Sequence, residues 1–382
     1  MIERRFIVGH KDRGAIMFRG YKYRIYPNCA QAAVLNQMFG NARFVFNWAL
    51  MMNLNNLQTE QRTLSPFLIM KELTRLKEIP GYEWLNVSVI QSLQQSIVNQ
   101  SNAFKRFQKN KSGFPKFKSW HNPRCRVGFP QNTRIDFNGN KISVLKLGWI
   151  KARISRGFNG KIKSSVIEKT PAGKYFISLT VEFPNPIVKQ KAINPSTSVG
   201  IDTGMKTFAT FSDGRIIENP RHIHAHRKRL SILHRRVNSK IIGSANRIKA
   251  IRVLAVLHST IANRRTDFLH KVTTDLARNY ETVVCEDLDL PAIIQKSYFS
   301  RGFSDLGLGQ FYVLLKYKVE QRGGNFIKIG RFKPSSKMCY CGHIEHGLKL
   351  SERKWTCKQC GSVNERDLLA AKNILKYGMS IY

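Results

Sequence analysis

The charge balance constrains this chain more than any other feature of its sequence. Lysine and arginine number 64 and aspartate and glutamate 24, which leaves a formal net charge of +40 over 382 residues. A compact chain with so large an excess repels itself unless a polyanion neutralises it. The hydrophobic fraction of 42% is ordinary for a folded protein and excludes general disorder. A nucleic acid is therefore the expected partner, and an anionic membrane surface is the weaker alternative.

The sequence carries no signal for secretion or membrane insertion. It has no run of 18 apolar residues, and its first 16 residues are a polar arm without the apolar core of a signal peptide. Four of the seven cysteines lie within 22 residues, which indicates a metal site in a reducing compartment and not a disulfide framework. We therefore expect a cytoplasmic protein, and a chain of this length predicts roughly two to three domains.

The N-terminal half predicts a strand, a set of helices and a basic β-structure, in that order. Residues 18–26 alternate aromatic or apolar with basic side chains, and residues 31–110 space their apolar residues as helices do. The polar face of the 90–107 helix carries amides and bases, which suit either nucleic-acid contacts or plain solvation. Residues 105–163 combine 16 Lys or Arg with one acid and several strand-like aromatic runs. This pattern is typical of a small nucleic-acid-binding barrel or sheet.

The C-terminal half predicts an α/β domain, because strands and helices alternate after a linker at 184–198. Strands are expected at 199–202, 207–212, 282–288 and 325–330, with a hairpin turn at Asp213-Gly214. Helices are expected at 219–280, 305–322 and 366–377.

Three carboxylates occupy positions from which they could converge. Asp202 and Glu286 each end an apolar strand, and Asp367 opens the last helix. Three converging acids require divalent cations, and their oxygens suit Mg²⁺ or Mn²⁺. Two such ions about 3.5–4 Å apart activate water and stabilise the leaving oxygen of a phosphodiester. From spacing alone, Asp202 is also consistent with a turn residue and Asp367 with a favourable charge at a helix start.

The cysteine cluster predicts a structural zinc site. Cys339 and Cys341, followed after fifteen residues by Cys357 and Cys360, resemble the two knuckles of a four-thiolate zinc ribbon. The first knuckle is CxC, one residue shorter than the usual CxxC, so His343 or His346 could replace one cysteine as a ligand. Four free thiols in a loop remain the alternative.

A series of short motifs supplies the strongest indication of family. They are GIDTGMKTFAT (200–210), NRRTDFLHKVTTDL (263–276), VVCEDL (283–288), SSKMCYCG (335–342), WTCKQCG (355–361) and RDLLAAKNI (366–374), preceded by YKYRIYPN (21–28), GNARFVFNWAL (40–50), AFKRF (103–107), GFPKFK (113–118) and LKLGW (145–149). In this order they resemble the TnpB family over nearly everything from residue 17 onward. TnpB proteins are transposon-encoded, RNA-guided DNA nucleases similar to the ancestors of type V CRISPR effectors.

The resemblance implies a multidomain α+β fold. Residues 1–31 would supply an arm and the first strand of a wedge domain, 32–120 a helical recognition domain, 121–195 a β-barrel wedge domain, and 196–382 an RNase H-like (RuvC) α/β nuclease domain with a zinc-ribbon insert at 333–363. Asp202, Glu286 and Asp367 would be the metal-binding catalytic carboxylates. The chain departs from the family pattern in its CxC knuckle, in its first 16 residues, and in Leu369, where the family usually has asparagine.

The resemblance also implies partners and contacts. The protein would be a monomer that binds a guide RNA transcribed from the transposon end and cleaves double-stranded DNA beside a short flanking motif, in the nucleoid of a prokaryote. Base pairing would recognise the sequence, and the protein would recognise the motif and the hybrid. Gln94 is the candidate for motif recognition, because glutamine pairs bidentately with adenine. The other candidate nucleic-acid contacts are Tyr21, Lys22, Arg24, Lys105, Arg106, Lys116, Arg264 and Arg265.

Two other functions compete with guided cleavage. A guided DNA-binding repressor that does not cut would be expected if a carboxylate were missing, and all three are present. A single-strand transposase requires a nucleophilic tyrosine near a metal-binding histidine pair. Its nearest counterpart, His222-Ile-His224, lies in a basic stretch away from any predicted strand, which disfavours this function.

Overall fold

The chain divides into two units, Met1–Asn185 and Pro186–Tyr382, and each has a hydrophobic core. The structure is a computed structural model. It describes residues 6–8, 16–119, 124–184, 190–296, 300–331, 333–349 and 352–380. Part of the expected linker, residues 185–189, therefore lies outside the described residues.

The first unit contains an eight-stranded antiparallel sheet. Its strands are β1 (Phe6–Val8), β2 (Ile16–Tyr26), β3 (Cys125–Phe129), β4 (Arg134–Asp136), β5 (Lys141–Val144), β6 (Gly148–Arg153), β7 (Lys161–Lys169) and β8 (Tyr175–Pro184). Seven follow the order β3-β7-β8-β2-β6-β5-β4, and β1 pairs with β2. Part of the polar N-terminal arm thus extends the sheet. The predicted alternation on β2 is confirmed, because Tyr21, Tyr23 and Ile25 are buried and the intervening Lys22 and Arg24 are partly exposed.

Among its described residues the first unit also has three α-helices: α1 (Cys29–Glu60), α2 (Pro66–Leu76) and α3 (Ile90–Gln108). Helix α1 begins at a capping box, in which Asn28 and Gln31 each bond the backbone N–H of the other. Its first turns pack Leu35 and Met38 on the sheet, while Val45 belongs to a second core formed with α2 and α3. The predicted helical region therefore exists, and one long helix joins both cores.

The second unit contains a five-stranded mixed sheet. Its strands are β9 (Ser198–Thr203), β10 (Thr207–Phe211), β11 (Ile216–Glu218), β12 (Thr282–Glu286) and β13 (Asn325–Ile329), in the order β11-β10-β9-β12-β13. Strands β9, β12 and β13 are parallel, and β9 to β11 form an antiparallel meander. Gly214, with φ +89°, makes the predicted turn between β10 and β11. The apolar runs of β9 and β12 are buried, as expected of strands covered on both faces.

Six α-helices and a small hairpin surround this sheet in the described part of the unit. They are α4 (Arg227–Asn238), α5 (Ala245–Asn279), α6 (Leu290–Lys296), α7 (Ser300–Leu306), α8 (Leu308–Gln321) and α9 (Arg366–Met379), with strands β14 (Lys354–Thr356) and β15 (Val363–Glu365). The single helical stretch predicted at 219–280 is wrong, because a turn containing Gly243 at φ +85° separates α4 from α5. None of the described helices is long and apolar enough to cross a bilayer.

Alternation along the central strands decides which helix covers each face. Val199, Ile201, Val283 and Cys285 share a core with α5 and α8, whereas Val284 shares one with Ile374 of α9. Gly200, opposite Val284 in the parallel register, lies directly beneath α9. The even-numbered positions of β9 and β12 therefore face α9.

We expect Gly200→Ala to destabilise the second unit. A Cβ at Gly200 would lie 2.1 Å from the Ala371 carbonyl oxygen and 2.7 Å from the Leu375 nitrogen, so α9 would have to move. The free energy of unfolding, measured by urea titration with circular dichroism, should fall by about 2 kcal/mol or more.

The matched control is Gly40→Ala in the middle of α1, where nothing lies within 4 Å of the added Cβ. Alanine favours a helix over glycine by up to about 1 kcal/mol, so this variant should be unchanged or more stable. Equal effects of the two substitutions would contradict the packing of α9 on β9.

Candidate active site

The sheet register brings two carboxylates to one edge. Val284 pairs with Gly200 and Cys285 with Ile201 along β12 and β9, so Glu286 follows in step with Asp202. Both occupy even-numbered positions at the carboxyl ends of parallel strands and so face α9. Asp367 lies in the first turn of that helix. The structure thus places the three acids at the same end of the sheet, close enough for the charges of Glu286 and Asp367 to act on Asp202.

The electrostatics of Asp202 reflect this convergence. Burial raises the pKa of its carboxyl group, and the charges of Glu286 and Asp367 raise it further, to about 7. Arg353 and Arg366 act in the opposite direction without cancelling the effect. Two like charges beside a carboxyl group disfavour its ionised form, and either a proton or a cation relieves the repulsion.

Polar side chains that sequence reasoning missed hold the carboxylates in place. Arg353 Nη1 donates to Asp367 Oδ1 at 2.8 Å, and the Ser335 hydroxyl donates to Glu286 Oε1. Buried Asn373 in turn donates to the carbonyl oxygens of Ser335 and Met338 at 2.8 and 2.7 Å. The available sequence signal was Asn373, an amide six residues after Asp367 in the last helix.

Leu369 faces away from the carboxylates. It is 1% exposed and packs with Leu348, Trp355, Cys339 and Cys357. Its position therefore links helix α9 to the cysteine cluster.

The four cysteines converge on one point. All their sulfur atoms lie within 4.8 Å of one another, and the Cys339–Cys360 and Cys341–Cys357 Sγ distances are both 3.7 Å. Four thiolates at about 2.3 Å from a tetrahedral zinc ion lie about 3.8 Å apart. The donor set and its spacing fit zinc, and this metal-ligating group contains neither His343 nor His346.

Both knuckles end in the same way despite their different lengths. Gly342 and Gly361 directly follow the last cysteine of each knuckle and have φ values of +91° and +71°. The thiols titrate together: burial raises the pKa of Cys339, but hydrogen bonds from Ser362, the Cys341 backbone and Asn364 outweigh it and lower that pKa to about 6. The His343 backbone lowers the pKa of Cys341, but burial and hydrogen bonds with the other thiols raise it overall to about 12. A thiolate at neutral pH is the form that binds metal.

A second candidate site lies within the first unit, between α1, α3 and strands β3 and β7. It is a cavity of about 950 Å³ whose polar lining includes Arg43, Gln95, Asn99, Asn102, Arg106 and Arg126. Gln95 lines it, whereas Gln94 is not among the lining residues. The groove follows the face of α3 that carries residues 95, 99, 102 and 106, and the contact expected of Gln94 stays a prediction.

The remaining predicted nucleic-acid contacts are not equally accessible. Tyr21 is 6% exposed and packs in the core of the first unit, which corrects its assignment as a contact residue. Lys22 pairs with Glu168, and the Arg24 guanidinium lies 5.2 Å from the centre of the Phe176 ring.

Of the other predicted contacts, four are exposed and one is held by a hydrogen bond within the fold. Lys105, Arg106, Lys116 and Arg264 are exposed. Arg265 donates to the Ser304 carbonyl oxygen at 3.1 Å, so it already serves the fold.

Comparison with known proteins identifies the family. A family model described as a probable transposase, OrfB_IS605, matches residues 178–296, and one described as a Cas12f1-like TNB domain matches residues 309–374. A helix-turn-helix model of the same OrfB_IS605 group matches residues 17–62, which form β2 and α1 here.

Two relatives cover almost the whole chain. One from Streptomyces pristinaespiralis is 35% identical over 95% of this chain and 90% of its own length. Another, InsQ from Escherichia coli K12, is 31% identical over 95% of this chain and 93% of its own length. Both carry the name of an RNA-guided DNA endonuclease.

A solved structure shares the fold. Cas12f1, from a cryo-EM structure of its complex with sgRNA and target DNA, has a TM-score of 0.56 and 13% identity, covering 94% of this chain and 99% of that one. Together these matches define a group of transposon-associated proteins related to Cas12f1. The chain belongs to the TnpB family within it, as its motifs indicated.

We expect Asp202→Asn to stabilise the protein in buffer without added divalent cations. The folded pKa of Asp202 is raised above its unfolded value near 3.8, so ionisation destabilises the fold progressively from about pH 4 to pH 7. Asparagine removes that charge. Thermal unfolding at pH 8 should show a gain of roughly 1–3 kcal/mol, which disappears near pH 4.

Asp287→Asn is the control of opposite sign. Lys328 and Arg331 lower the pKa of Asp287, so its loss should not stabilise the protein at pH 8. If Asp202→Asn gave no gain at pH 8, the three carboxylates would not repel one another as the structure indicates.

We expect Cys341→Ser to lose bound zinc and to lower the unfolding midpoint of the second unit. Zinc in the purified protein, measured by mass spectrometry, should fall from about one ion per chain to near zero. Cys29→Ser changes an exposed cysteine of the first unit and should keep its zinc. Retention of zinc by Cys341→Ser, together with its loss in His343→Ala or His346→Ala, would instead assign a histidine ligand.

Proposed function

We propose that this protein is an RNA-guided DNA endonuclease with Asp202, Glu286 and Asp367 as its catalytic metal ligands. The observation that carries the proposal is their convergence, with a pKa near 7 at Asp202, in a chain of net charge +40. Crowded carboxylates with a perturbed pKa are typical of functional sites, and surface solubility does not explain them in so basic a chain. The names of both full-length relatives support the same reaction.

Divalent cations fit the site because its donors are carboxylate oxygens whose mutual repulsion a cation relieves. When bound, Mg²⁺ or Mn²⁺ would activate water and stabilise the leaving oxygen of the phosphodiester. Side chains of the protein itself orient the carboxylates. Ser335 orients Glu286, Arg353 orients Asp367 and adds a positive charge beside the anionic substrate, and Asn373 fixes the segment that carries Ser335.

The proposal assigns a role to each part of the chain. The mixed sheet with α9 on one face and α5 and α8 on the other supports an RNase H-like (RuvC) nuclease domain at 196–382. The cysteine cluster would be its structural zinc ribbon. The antiparallel sheet would be the wedge domain, and α1 to α3 would be the recognition domain.

The exposed cations would hold guide RNA and hybrid phosphates, and the 950 Å³ groove would recognise the flanking motif. The guide would derive from the transposon end. The protein would act as a monomer in a ribonucleoprotein at the nucleoid of a prokaryotic cell.

A plasmid-library depletion experiment tests guided cleavage. The protein is expressed with RNA from the end of its own element, against a matched target flanked by randomised bases. Wild type should deplete one flanking motif, and Asp202→Ala should deplete none while binding the RNA within about threefold of wild type, because the phosphate-binding cations are intact. Depletion by Asp202→Ala would refute the catalytic assignment, and RNA binding without depletion by wild type would indicate a guided repressor.

Motif recognition is tested by a pair of neighbouring substitutions. Gln95 lines the groove, and its Nε2 donates to Asn99 Oδ1 at 3.2 Å, which fixes the amide orientation. Gln95→Ala should relax the flanking motif at one position or more, a loss of about 1–3 kcal/mol in discrimination. Gln94→Ala, one position away and outside the groove, should leave the motif unchanged. The reverse outcome would move recognition to the other face of α3.

A further inference from the structure

Helices α4 and α5 form a hairpin whose tip exposes apolar side chains. Ile241 and Ile242, adjacent in the turn, are 81% and 84% exposed, more than any other large apolar side chains among the described residues. Ile232 on α4 and Ile248 on the first turn of α5 are each 62% exposed. The tip therefore presents an apolar surface for which the candidate active site has no use.

The turn that carries this surface is well built. Gly243 adopts φ +85°, and the Ser244 hydroxyl accepts the Arg247 backbone N–H at 3.2 Å to begin α5. The Arg247 guanidinium donates to the carbonyl oxygens of Val237 and Lys240 at 3.1 and 2.9 Å, which satisfies the end of α4. The two isoleucines are thus held outward by a hydrogen-bonded frame.

The hairpin does not need these isoleucines for its own packing. Leu233 of α4 packs against Leu257 and Ile261 of α5, and all three are buried. This seam holds the helices together closer to the sheet. Exposed isoleucine with no packing role has a cost in solubility, so its presence at the tip points to a partner.

The charge around the tip defines that partner. Residues 227–256 contain nine Lys or Arg and no acid. They are Arg227, Lys228, Arg229, Arg235, Arg236, Lys240, Arg247, Lys249 and Arg252. None of them forms an ion pair with a carboxylate in the described part of the chain. A second copy of this chain would present the same nine positive charges, so self-association through this face is disfavoured and a polyanion is favoured.

We propose that the α4–α5 tip is an apolar wedge for nucleic acid. Ile241 and Ile242 pack against the bases at a junction between paired and unpaired strands, and the surrounding cations hold the flanking phosphates. Isoleucine is among the side chains that insert between base steps and unstack them, and phosphate contacts supply the affinity. The proposal rests on the proposed function for its class of partner, because guided cleavage requires strands to separate.

A forked DNA duplex tests the wedge without guide RNA or cleavage. The probe carries 2-aminopurine at the first paired base beside the fork and is mixed with the full-length protein in the absence of divalent cations. Base unstacking raises the fluorescence of this base. Wild type should raise it, and Ile241→Ser/Ile242→Ser should lose the increase while keeping its Kd for the probe within about threefold, because the cations remain.

Ile216→Ser is the matched control, since Ile216 is an exposed isoleucine (56%) on strand β11 of the same unit. It should behave as wild type, and unfolding midpoints should be unchanged in both variants because every substituted side chain is exposed. The wedge is overturned if wild type gives no increase or if the double variant gives the same increase.

Two other occupants of the tip are tested alongside. If the double variant keeps the fluorescence increase but loses self-association in sedimentation, the tip is assigned to a second copy. If it keeps the increase but loses binding to phosphatidylserine vesicles, the tip is assigned to a membrane. Either result overturns the wedge. Because the probe experiment uses neither guide nor cut, its failure leaves guided cleavage standing. Failed depletion with an intact fluorescence increase would overturn only the proposed function.

Discussion

The close approach of helix α9 to the central parallel strands is the contact on which the candidate active site depends. Gly200 leaves room for the helix backbone, and a second glycine, Gly378, does the same against Val284 near the other end of α9. This packing sets the first turn of α9 at the strand ends, where Asp202 and Glu286 lie. Without it, Asp367 would not share their charge environment. Two residues without side chains thus determine where the three candidate catalytic side chains lie relative to one another.

The packing of α9 on the strands also costs the second unit some stability, because it brings acidic side chains close together. A fold of marginal stability ordinarily keeps like charges apart, yet the second unit crowds three acids at one sheet edge. Arg353 and Arg366 relieve part of the repulsion, and they flank the β14–β15 hairpin that carries Cys357 and Cys360. A metal-bound cysteine cluster would therefore also hold the cations that partly neutralise the carboxylates.

Much of this arrangement followed from local sequence patterns. Apolar runs predicted the parallel strands, the Asp213-Gly214 turn predicted the meander, and cysteine spacing predicted a convergence of thiols that the structure contains. The positions of Asp202 and Glu286 at strand ends were sufficient to select them, since period-two alternation fixes their common face. The family resemblance is confirmed by relatives that cover nearly the full chain.

Other features depend on tertiary contacts that local patterns do not encode. The break between α4 and α5 was missed because one glycine in a long basic stretch is weak against helical spacing. Tyr21 was misassigned because an aromatic residue does not by itself disclose which face its neighbours cover. Arg353 and Ser335 act across 14 and 49 residues of sequence, a separation at which spacing carries no information.

The first turn of α9 lies between the candidate carboxylate site and the cysteine cluster. Asp367 lies near the other candidate carboxylates on one side, and Leu369 packs beside the cysteine sulfurs on the other. Each residue added to or removed from that turn would rotate the rest of the helix by about 100° and carry one of these side chains off its face. A change of length between residues 366 and 369 therefore separates Asp367 from its carboxylate neighbours or Leu369 from the cysteine cluster, because both side chains depend on the same helical phase.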